Sequence, residues 1–404
     1  MNKKILTVMA IVMIVTIGLT ACGAKATATP AATAAATQAP VATEAPTHAP
    51  MAKIIAVCLP ALDNPLMLGF QDAFKGAFGA QYDVQVASAD GNANTQATQV
   101  QNFTAMRVTF MFVMPVESSS LVPNLIAARQ AGVIVLVAGG DPGNADAYDT
   151  VMMMNQFLSG YYEAYMAKQW VDATYPDAAD GSLETAIFTS SLNPEAVSRS
   201  NGEKMIAEPY MKDVTGAYID ASGNKVTDAN KVANPAFSSK VKVVQTVDAE
   251  MFQAGQTAMQ NVLTTNPNVV LVLSYAGDGG MGASQAMLDE FGKGATSVIK
   301  DLNKVAVFGV GMIGAEGQAV VDSMTNKTVF RGTIRFGGDL VGRTIAISGD
   351  MMNGKITKVI YDPLEIIVPV NGKLMSTAIE DTEVFKVPTA APTEVVLQGP
   401  PPAK

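Results

Sequence analysis

Between about residue 53 and residue 370, short apolar runs alternate with longer segments in which apolar residues recur every three or four positions. The first run, Ile54 to Pro60, is followed by Asn64-Pro65, a helix N-cap residue with proline at the first helical position. Met67, Phe70, Phe74, Ala77 and Phe78 then keep the helical period. Strand-like runs follow at Tyr82 to Ala89, Val108 to Val116 and Val133 to Ala138, and Gly132 closes a helix predicted over Leu121 to Ala131. A long helix around Gln156 to Tyr175 opens a second series. Its predicted strands are Glu184 to Ser190, Lys240 to Val247, Val269 to Tyr275, Val305 to Val310 and Phe330 to Phe336. Its predicted helices are Pro194 to Met211, Gln253 to Thr265, Gly279 to Phe291 and Ala315 to Asn326. Unbroken runs such as Val-Val-Leu-Val-Leu suit parallel strands buried on both faces. The pattern predicts an α/β fold of two doubly wound parallel-sheet lobes, with residues 212–239, rich in Asn, Asp, Gly, Ser and Lys, as a surface insertion.

The ends of the chain break this pattern. Lys3 and Lys4 precede an apolar run, Ile5 to Gly18, that is too short for a comfortable membrane span and reads as a secretory signal over residues 1–21. The run ends in Leu19-Thr20-Ala21-Cys22-Gly23, which resembles the lipobox of bacterial lipoproteins; that likeness implies cleavage before Cys22 and lipid attachment to its thiol. Residues 22–50 form an Ala/Thr/Pro tether that cannot bury enough apolar surface to offset its ordering entropy, and residues 386–404, of similar character, are expected to be a disordered tail.

Composition narrows the chemistry. Of 404 residues only one is histidine and two are cysteine, too few for a His-based or thiolate metal site. His48 lies in the tether, so the folded body has no imidazole for general-base work. With Cys22 assigned to lipid, Cys58 has no disulfide partner and sits in an apolar run as a small buried hydrophobe. A formal charge of −9 argues against nucleic acid, whose recognition leans on Lys and Arg. No metal and no cofactor is expected. Met152-Met153-Met154 is the one suggestive thioether cluster, but on a strand the three would point to alternating faces. Tyr161, Tyr162, Tyr165 and Trp170 could form a ligand platform, although their spacing favours packing against the sheet.

Open parallel sheets bind ligands outside the carboxyl ends of their strands. Here those ends carry Asp63-Asn64, Asp90, Glu117, Gly139-Gly140-Asp141, Ser190-Ser191-Asn193, Asp248 with Glu250, Ser274-Tyr275 with Asp278, Gly309-Val310-Gly311 and Arg335-Phe336. Any one of them is equally what a helix cap or turn looks like; the set is more informative than its members. Gly309-Val310-Gly311-Met312-Ile313-Gly314 matches the GxGxxG pattern between a strand and a helix, and Arg335 stands where a dinucleotide site could hold a 2′-phosphate. An exported chain is a poor place for a soluble nicotinamide cofactor, so the motif reads first as a tight turn where a ligand or backbone comes close.

From about Lys53 to Val370 the chain resembles the type I periplasmic sugar-binding proteins of ABC transporters, of which ribose-binding protein is representative. The likeness rests on Asn64-Pro65 after the first strand; Met114-Pro115-Val116-Glu117 with Leu121-Val122-Pro123 and Ala127-Ala128-Arg129-Gln130-Ala131-Gly132-Val133; Asn155-Gln156-Phe157-Leu158-Ser159-Gly160; Arg199 followed by Gly202; and Met259-Gln260-Asn261-Val262-Leu263 with Pro267-Asn268-Val269. It implies a first lobe over 53–155 and 337–355, a second over 156–336 and 356–385, hinge strands between them, and closure on a small molecule.

The resemblance further implies a lipid-anchored monomer, periplasmic or on the outer face of the cell membrane, that delivers a sugar-like ligand to an ABC permease and catalyses nothing. A ligand sensor of the same fold for a membrane receptor, or an exported α/β oxidoreductase using the glycine turn, are the alternatives. Asn64 matches a sugar-binding asparagine of the family, and Arg199 a family arginine. The ring-sandwiching aromatics are Leu66 and Met67, the Asp-Arg pair is Gly139-Gly140 with Asp141 beyond, a second basic position is Asn201, the usual aromatic near Asp248 is Glu250, and a family asparagine, aspartate and glutamine are Ala276, Gly311 and Phe336. Expected ligand contacts are therefore Asn64, Met67, Asp141, Arg199, Glu250, Tyr275, Asp278, Arg335 and Phe336. The acids would suit an amine or hydroxyls, and either arginine a carboxylate. With several hydroxyl-reading groups replaced, ribose itself is not the expected ligand.

Overall fold

The computed structural model describes residues 51–62, 65–220, 222–311, 315–380 and 382–395. Cys22, His48, Asn64 and residues 312–314 of the glycine turn lie outside the described residues. The chain builds β1 (Ala52–Leu59), α1 (Pro65–Phe78), β2 (Asp83–Ser88), α2 (Ala93–Ala105), β3 (Val108–Val113), α3 (Val122–Gln130), β4 (Ile134–Ala138) and β5 (Thr150–Met153). It continues with α4 (Gln156–Thr174), β6 (Leu183–Thr189), α5 (Pro194–Glu203), β7 (Val241–Asp248), α6 (Phe252–Thr265), β8 (Val269–Ser274), α7 (Gly277–Phe291), β9 (Ala306–Val310), α8 (Ala315–Ser323) and β10 (Phe330–Phe336). The last elements are α9 (Leu340–Met352), β11 (Val359–Tyr361), β12 (Leu364–Val370), β13 (Lys373–Ile379) and β14 (Thr393–Glu394).

These strands form two sheets. The first runs β11-β5-β4-β3-β1-β2 and the second β14-β13-β12-β10-β9-β8-β6-β7. Neighbours in the first are parallel, as are β7 to β10 in the second, while β12, β13 and β14 add an antiparallel edge. Each sheet buries both faces. In the first, Val57 and Phe112 pack to one side and Cys58 and Val113 to the other; in the second, Leu271 and Leu273 oppose Val272. This is why β8 reads as a continuous apolar run. Cys58 is fully buried, and burial pushes its thiol up to about 12, far from nucleophilic use.

The chain passes between sheets three times, after β5, after β10 and after β11, each time from a carboxyl strand end. Backbone bonds tie the passages together: the Asp362 N–H donates to the Met153 carbonyl at 2.9 Å and the Gly337 N–H to the Pro363 carbonyl at 2.7 Å. The last crossing falls after Tyr361, later than the boundary at 355 read from sequence, because β11 adds to the first sheet beside β5 before the chain leaves. The expected tail is also corrected. Residues 386–395 include β14, which pairs with β13, and the Tyr162 hydroxyl donates to the Lys386 carbonyl at 3.2 Å. Just before them Phe385 stacks on Tyr161 at a centroid distance of 4.1 Å, so the tyrosine cluster of α4 is packing. The methionine triplet splits as its strand position predicts: Met152 and Met153 enter opposite faces of the first sheet, and Met154 the second lobe.

One close approach sets the site described below. Gly160 on α4 and Gly202 on α5 let the helices touch backbone to backbone; a methyl group at Gly202 would overlap the Phe157 carbonyl oxygen, and one at Gly160 the Arg199 carbonyl oxygen. Gly202→Ala is therefore expected to lower unfolding free energy by about 1–3 kcal/mol in urea titration. Gly349→Ala, in α9 where a methyl meets nothing within 4 Å, should instead be neutral or stabilising by roughly 0.5–1 kcal/mol. Equal effects at the two glycines would contradict the tight α4–α5 contact.

Candidate functional site

Because all three crossings leave from carboxyl strand ends, the loops at those ends of the two lobes are brought toward one another. After β4, an ideal Cβ on Gly140 would meet the Ser118 Oγ of its own lobe at 2.5 Å and lie 3.9 Å from the Glu195 Oε1 of the second lobe, so the glycine makes room for Ser118 and stands opposite that carboxylate. Asn193 caps α5 by accepting from the Glu195 and Ala196 N–H groups, and Pro194 starts it, which aims the first turn of that helix at the first lobe.

Arg199, one turn further along α5, forms the floor on the second-lobe side. Its Nε donates to Gln156 Oε1 at 3.0 Å, Nη2 donates to the same oxygen, and Nη1 donates to the Tyr275 carbonyl. Gln156 in turn donates from Nε2 to Glu195 Oε2 at 3.2 Å. The guanidinium also lies 6.0 Å from the Tyr275 ring centroid. Tyr275 is 5% exposed, and its hydroxyl lies beside Glu250 and Ser190. Burial, then Glu250, pushes its phenol up, so it stays protonated and can donate.

A second corner lies past the end of β8. Gly277 and Gly311 leave room for Glu316, at the start of α8: a Cβ at Gly277 would come 2.5 Å from the Glu316 Cγ, and one at Gly311 2.6 Å from its Oε1. Burial and then neighbouring Asp278 raise the Glu316 carboxyl, with its own backbone N–H opposing. Sequence reasoning marked both glycines and Asp278 but missed Glu316, as it missed Gln156 and Glu195 as site residues. The two glycines at adjacent strand ends were the available signal.

The expected residues thus separate. Arg199, Glu250 and Tyr275 come together, Asp278 adjoins Glu316, and Asp141 faces Glu195 across the lobes, helping to raise its carboxyl after burial has done so. Met67 is instead 7% exposed within the first-lobe core, among Phe70, Leu59 and Met351. Arg335 is committed to an ion pair with Glu365, its partner across the β10–β12 ladder. That pairing also removes the arginine that a 2′-phosphate would need. Phe336 pairs through its backbone with Leu364, and its side chain lies outside the described residues. Among the described residues no group of His, Cys, Asp and Glu could hold a metal ion.

Two cavities lie near carboxyl strand ends. One of about 560 Å³ is lined by Ala61, Leu62, Ser88, Asp90 and Gly91 at the ends of β1 and β2. The other, of about 490 Å³, lies toward the crossings, between Asp141, Glu195, Tyr361 and Glu383, with Val214 of the 212–239 insertion as part of its wall. Neither contains Tyr275 or Glu250; the second shares Gln156 and Glu195 with the polar floor.

Residues 55–334 match the family described as periplasmic binding protein domain. No curated protein matches the chain. Among solved structures, the fold is similar to a sugar ABC transporter (sugar-binding protein) from Bacillus halodurans, 13% identical, covering 79% of this chain and 98% of that one with a TM-score of 0.58. It is similar to a periplasmic ribose ABC transporter from Conexibacter woesei, 15% identical, covering 79% and 92% with a TM-score of 0.58. It is also similar to an ABC transporter solute binding protein from Bacillus halodurans with bound myo-inositol, 19% identical, covering 80% and 96% with a TM-score of 0.55.

Beneath the floor, the α4–α5 contact encloses Glu163 and Glu203, both wholly buried. Glu163 Oε1 accepts from the Ser274 N–H at 2.9 Å, but its Oε2 and both Glu203 oxygens have no partner. Burial, then Glu203, raises Glu163 well above the carboxylate range; burial pushes Glu203 up to about 8, with Arg199 the main opposing charge. The folded chain therefore holds a proton here that the unfolded chain gives up near its ordinary carboxylate value of 4.5. Between those limits the native state binds more protons, so stability falls as pH rises from about 4.5 to about 8 and then levels. Glu203→Gln should flatten that fall in a melting-temperature series and exceed wild type at the alkaline end; an equally steep fall in the variant would mean that Glu203 ionises freely.

Proposed function

The chain belongs to the periplasmic binding protein family, and from that premise we propose that it is the extracytoplasmic solute-binding component of an ABC importer, holding a sugar or sugar-like molecule between its lobes and presenting it to a permease. The observation that carries this reading is the floor of Arg199, Gln156, Tyr275 and Glu250 at carboxyl strand ends, at a place where two open parallel sheets meet across three crossings. Solved structures of this fold with bound myo-inositol and with bound D-allose support a polyhydroxylated ligand.

Binding and release follow from hinge mechanics. Three strand-end passages joined by backbone bonds can absorb a rotation of one lobe against the other, and a ligand touching both lobes favours the closed arrangement by its differential contacts. Arg199 acts mainly as a positioning residue. It holds the Tyr275 carbonyl and, through Gln156 at the first crossing, Glu195 opposite Gly140. The ligand then meets side chains already fixed, which lowers the entropy lost on binding.

Location follows from the amino terminus. Among the described residues no helix is long and apolar enough to cross a membrane. The lipobox-like Leu19-Thr20-Ala21-Cys22 supports a lipid anchor, with residues 22–50 as the tether. Cys22→Ala should move the exported protein from the membrane to the soluble fraction; an unchanged distribution would refute the anchor.

A thermal-shift screen of the purified protein against sugars, polyols, nucleosides and amino acids tests the ligand class. A true ligand at 100 times its dissociation constant adds ~2.7 kcal/mol. Arg199→Ala should weaken that ligand at least about tenfold by freeing Tyr275 and Gln156, a loss near 1.4 kcal/mol. Stabilisation by amino acids or nucleosides but by no sugar or polyol would overturn the assignment.

A further inference from the structure

The 212–239 segment, read from its composition as a surface insertion, contributes part of the wall of the cavity of about 490 Å³ at the crossings. It is anchored to the body of the second lobe. Asn234 donates from Nδ2 to the Met205 and Glu208 carbonyls, each at 2.7 Å, and its Oδ1 accepts from the buried Tyr161 hydroxyl. The Ile219 N–H donates to the Met211 carbonyl at 3.1 Å. The turn at Gly223 lies so close to the terminal segment that a methyl group on it would come 2.5 Å from the Val384 Cγ1. The wall is therefore formed before any ligand arrives.

The lining of this cavity divides by chemistry. One group is polar and is shared with the floor of the site: Glu195 accepts from Gln156 Nε2 at 3.2 Å and has Asp141 of the first lobe as a charged neighbour. The other is apolar, with Val214 and Ile219 from the insertion and Val384 and Phe385 from the terminal segment beside Phe157 of α4. Two further polar residues of the lining are already engaged. Asn155 accepts from the Leu158 N–H and donates to the Thr382 carbonyl, and Asp213 accepts from the Thr215 and Ala217 N–H groups. Val214 is 51% exposed although apolar, so this surface is open to whatever enters the cavity.

On the reading of the cleft as a solute site, we propose that its ligand joins a polyhydroxylated part to an apolar one, as in an alkyl or aryl glycoside, with hydroxyls on Asp141, Gln156 and Glu195 and the apolar substituent against Val214, Ile219 and Val384. Carboxyl and carboxamide groups accept and donate the hydrogen bonds that hydroxyls need. The insertion's side chains offer no such bond and gain instead by removing apolar surface from water. A free sugar leaves that wall wet, whereas a substituted one covers it. The insertion is thereby a specificity element, selecting among sugars by what is attached to them.

Matched sets of free sugar and its methyl, butyl, hexyl and phenyl glycosides, built on glucose, galactose and ribose, test this by calorimetric titration of the purified protein, with hexanol and phenol as controls. In at least one set affinity should climb from methyl to hexyl by roughly fourfold per methylene buried, reaching at least about tenfold, with a heat-capacity change that grows more negative along the series. Val214→Asp, which changes a side chain outside the core, should shrink the hexyl-to-free affinity ratio severalfold. Free sugars that bind as tightly as their hexyl and phenyl glycosides, or a ratio unmoved by Val214→Asp, overturn the proposal and leave the solute-binding reading standing. Hexanol or phenol binding as tightly as the matching glycosides overturns it too, since the hydroxyls would then contribute nothing. Absence of binding by every sugar and glycoside removes both.

Discussion

The second lobe depends on where it can place one positive charge. Arg199 sits above two buried carboxylates and below the cleft, and α4 and α5 approach closely enough to enclose those carboxylates because Gly160 and Gly202 carry no side chains. Burial lowers the arginine's own proton affinity, and Glu203, Glu163 and Glu195 oppose that lowering without cancelling it. Breaking such an arrangement by removing one partner leaves an uncompensated buried group, which is why a network of this kind fixes geometry even where it adds little net stability. The consequence for the cleft is that the arginine's donors are used inward and sideways, on Gln156 and the Tyr275 carbonyl, and few are left for a ligand.

The other arginine expected to face a ligand has a similar fate by a different route. β12 runs antiparallel to β10 and sets Glu365 opposite Arg335, so the pair is a property of the ladder, with the Ser376 hydroxyl donating to the same carboxylate at 2.8 Å. Both cationic candidates therefore hold the protein together, while the acids at neighbouring strand ends stay open. The cleft's electrostatic character comes from this division of labour more than from the overall acidity of the chain.

Much of the fold was legible because buried parallel strands must be continuously apolar: β6, β8, β9 and β10 stand within a residue or so of the runs that announce them. Short edge elements were harder. β11 has three residues of middling burial, and β14 two, and each exists because a neighbouring strand offers free backbone groups, which no local pattern records. The candidate site was legible where a residue's place is tied to a strand end, as for Glu250, Tyr275 and Asp278. It was not where the role depends on approach in three dimensions. Glu316 looks like any acid in a helical first turn until Gly277 and Gly311 are seen beneath it, and Met67 continues a core stripe that its place near a strand end disguises. Arg335 could not be recognised as engaged without knowing that β12 folds back beside β10.

The same geometry links the cleft to the hinge. Gln156 is the first residue of α4, immediately after the first crossing, and its amide accepts from Arg199 while donating to Glu195. Glu195 in turn stands opposite Gly140; burial raises its carboxyl, Arg199 opposes that, and Asp141 adds to it. On the proposed reading, closure without a ligand brings Asp141 and Glu195 together with nothing bound between the lobes. A ligand shifts such an equilibrium only by its differential interaction with the two arrangements. On the proposed reading, it is the contacts that a bound molecule makes to both lobes at once that let closure report on what has been bound.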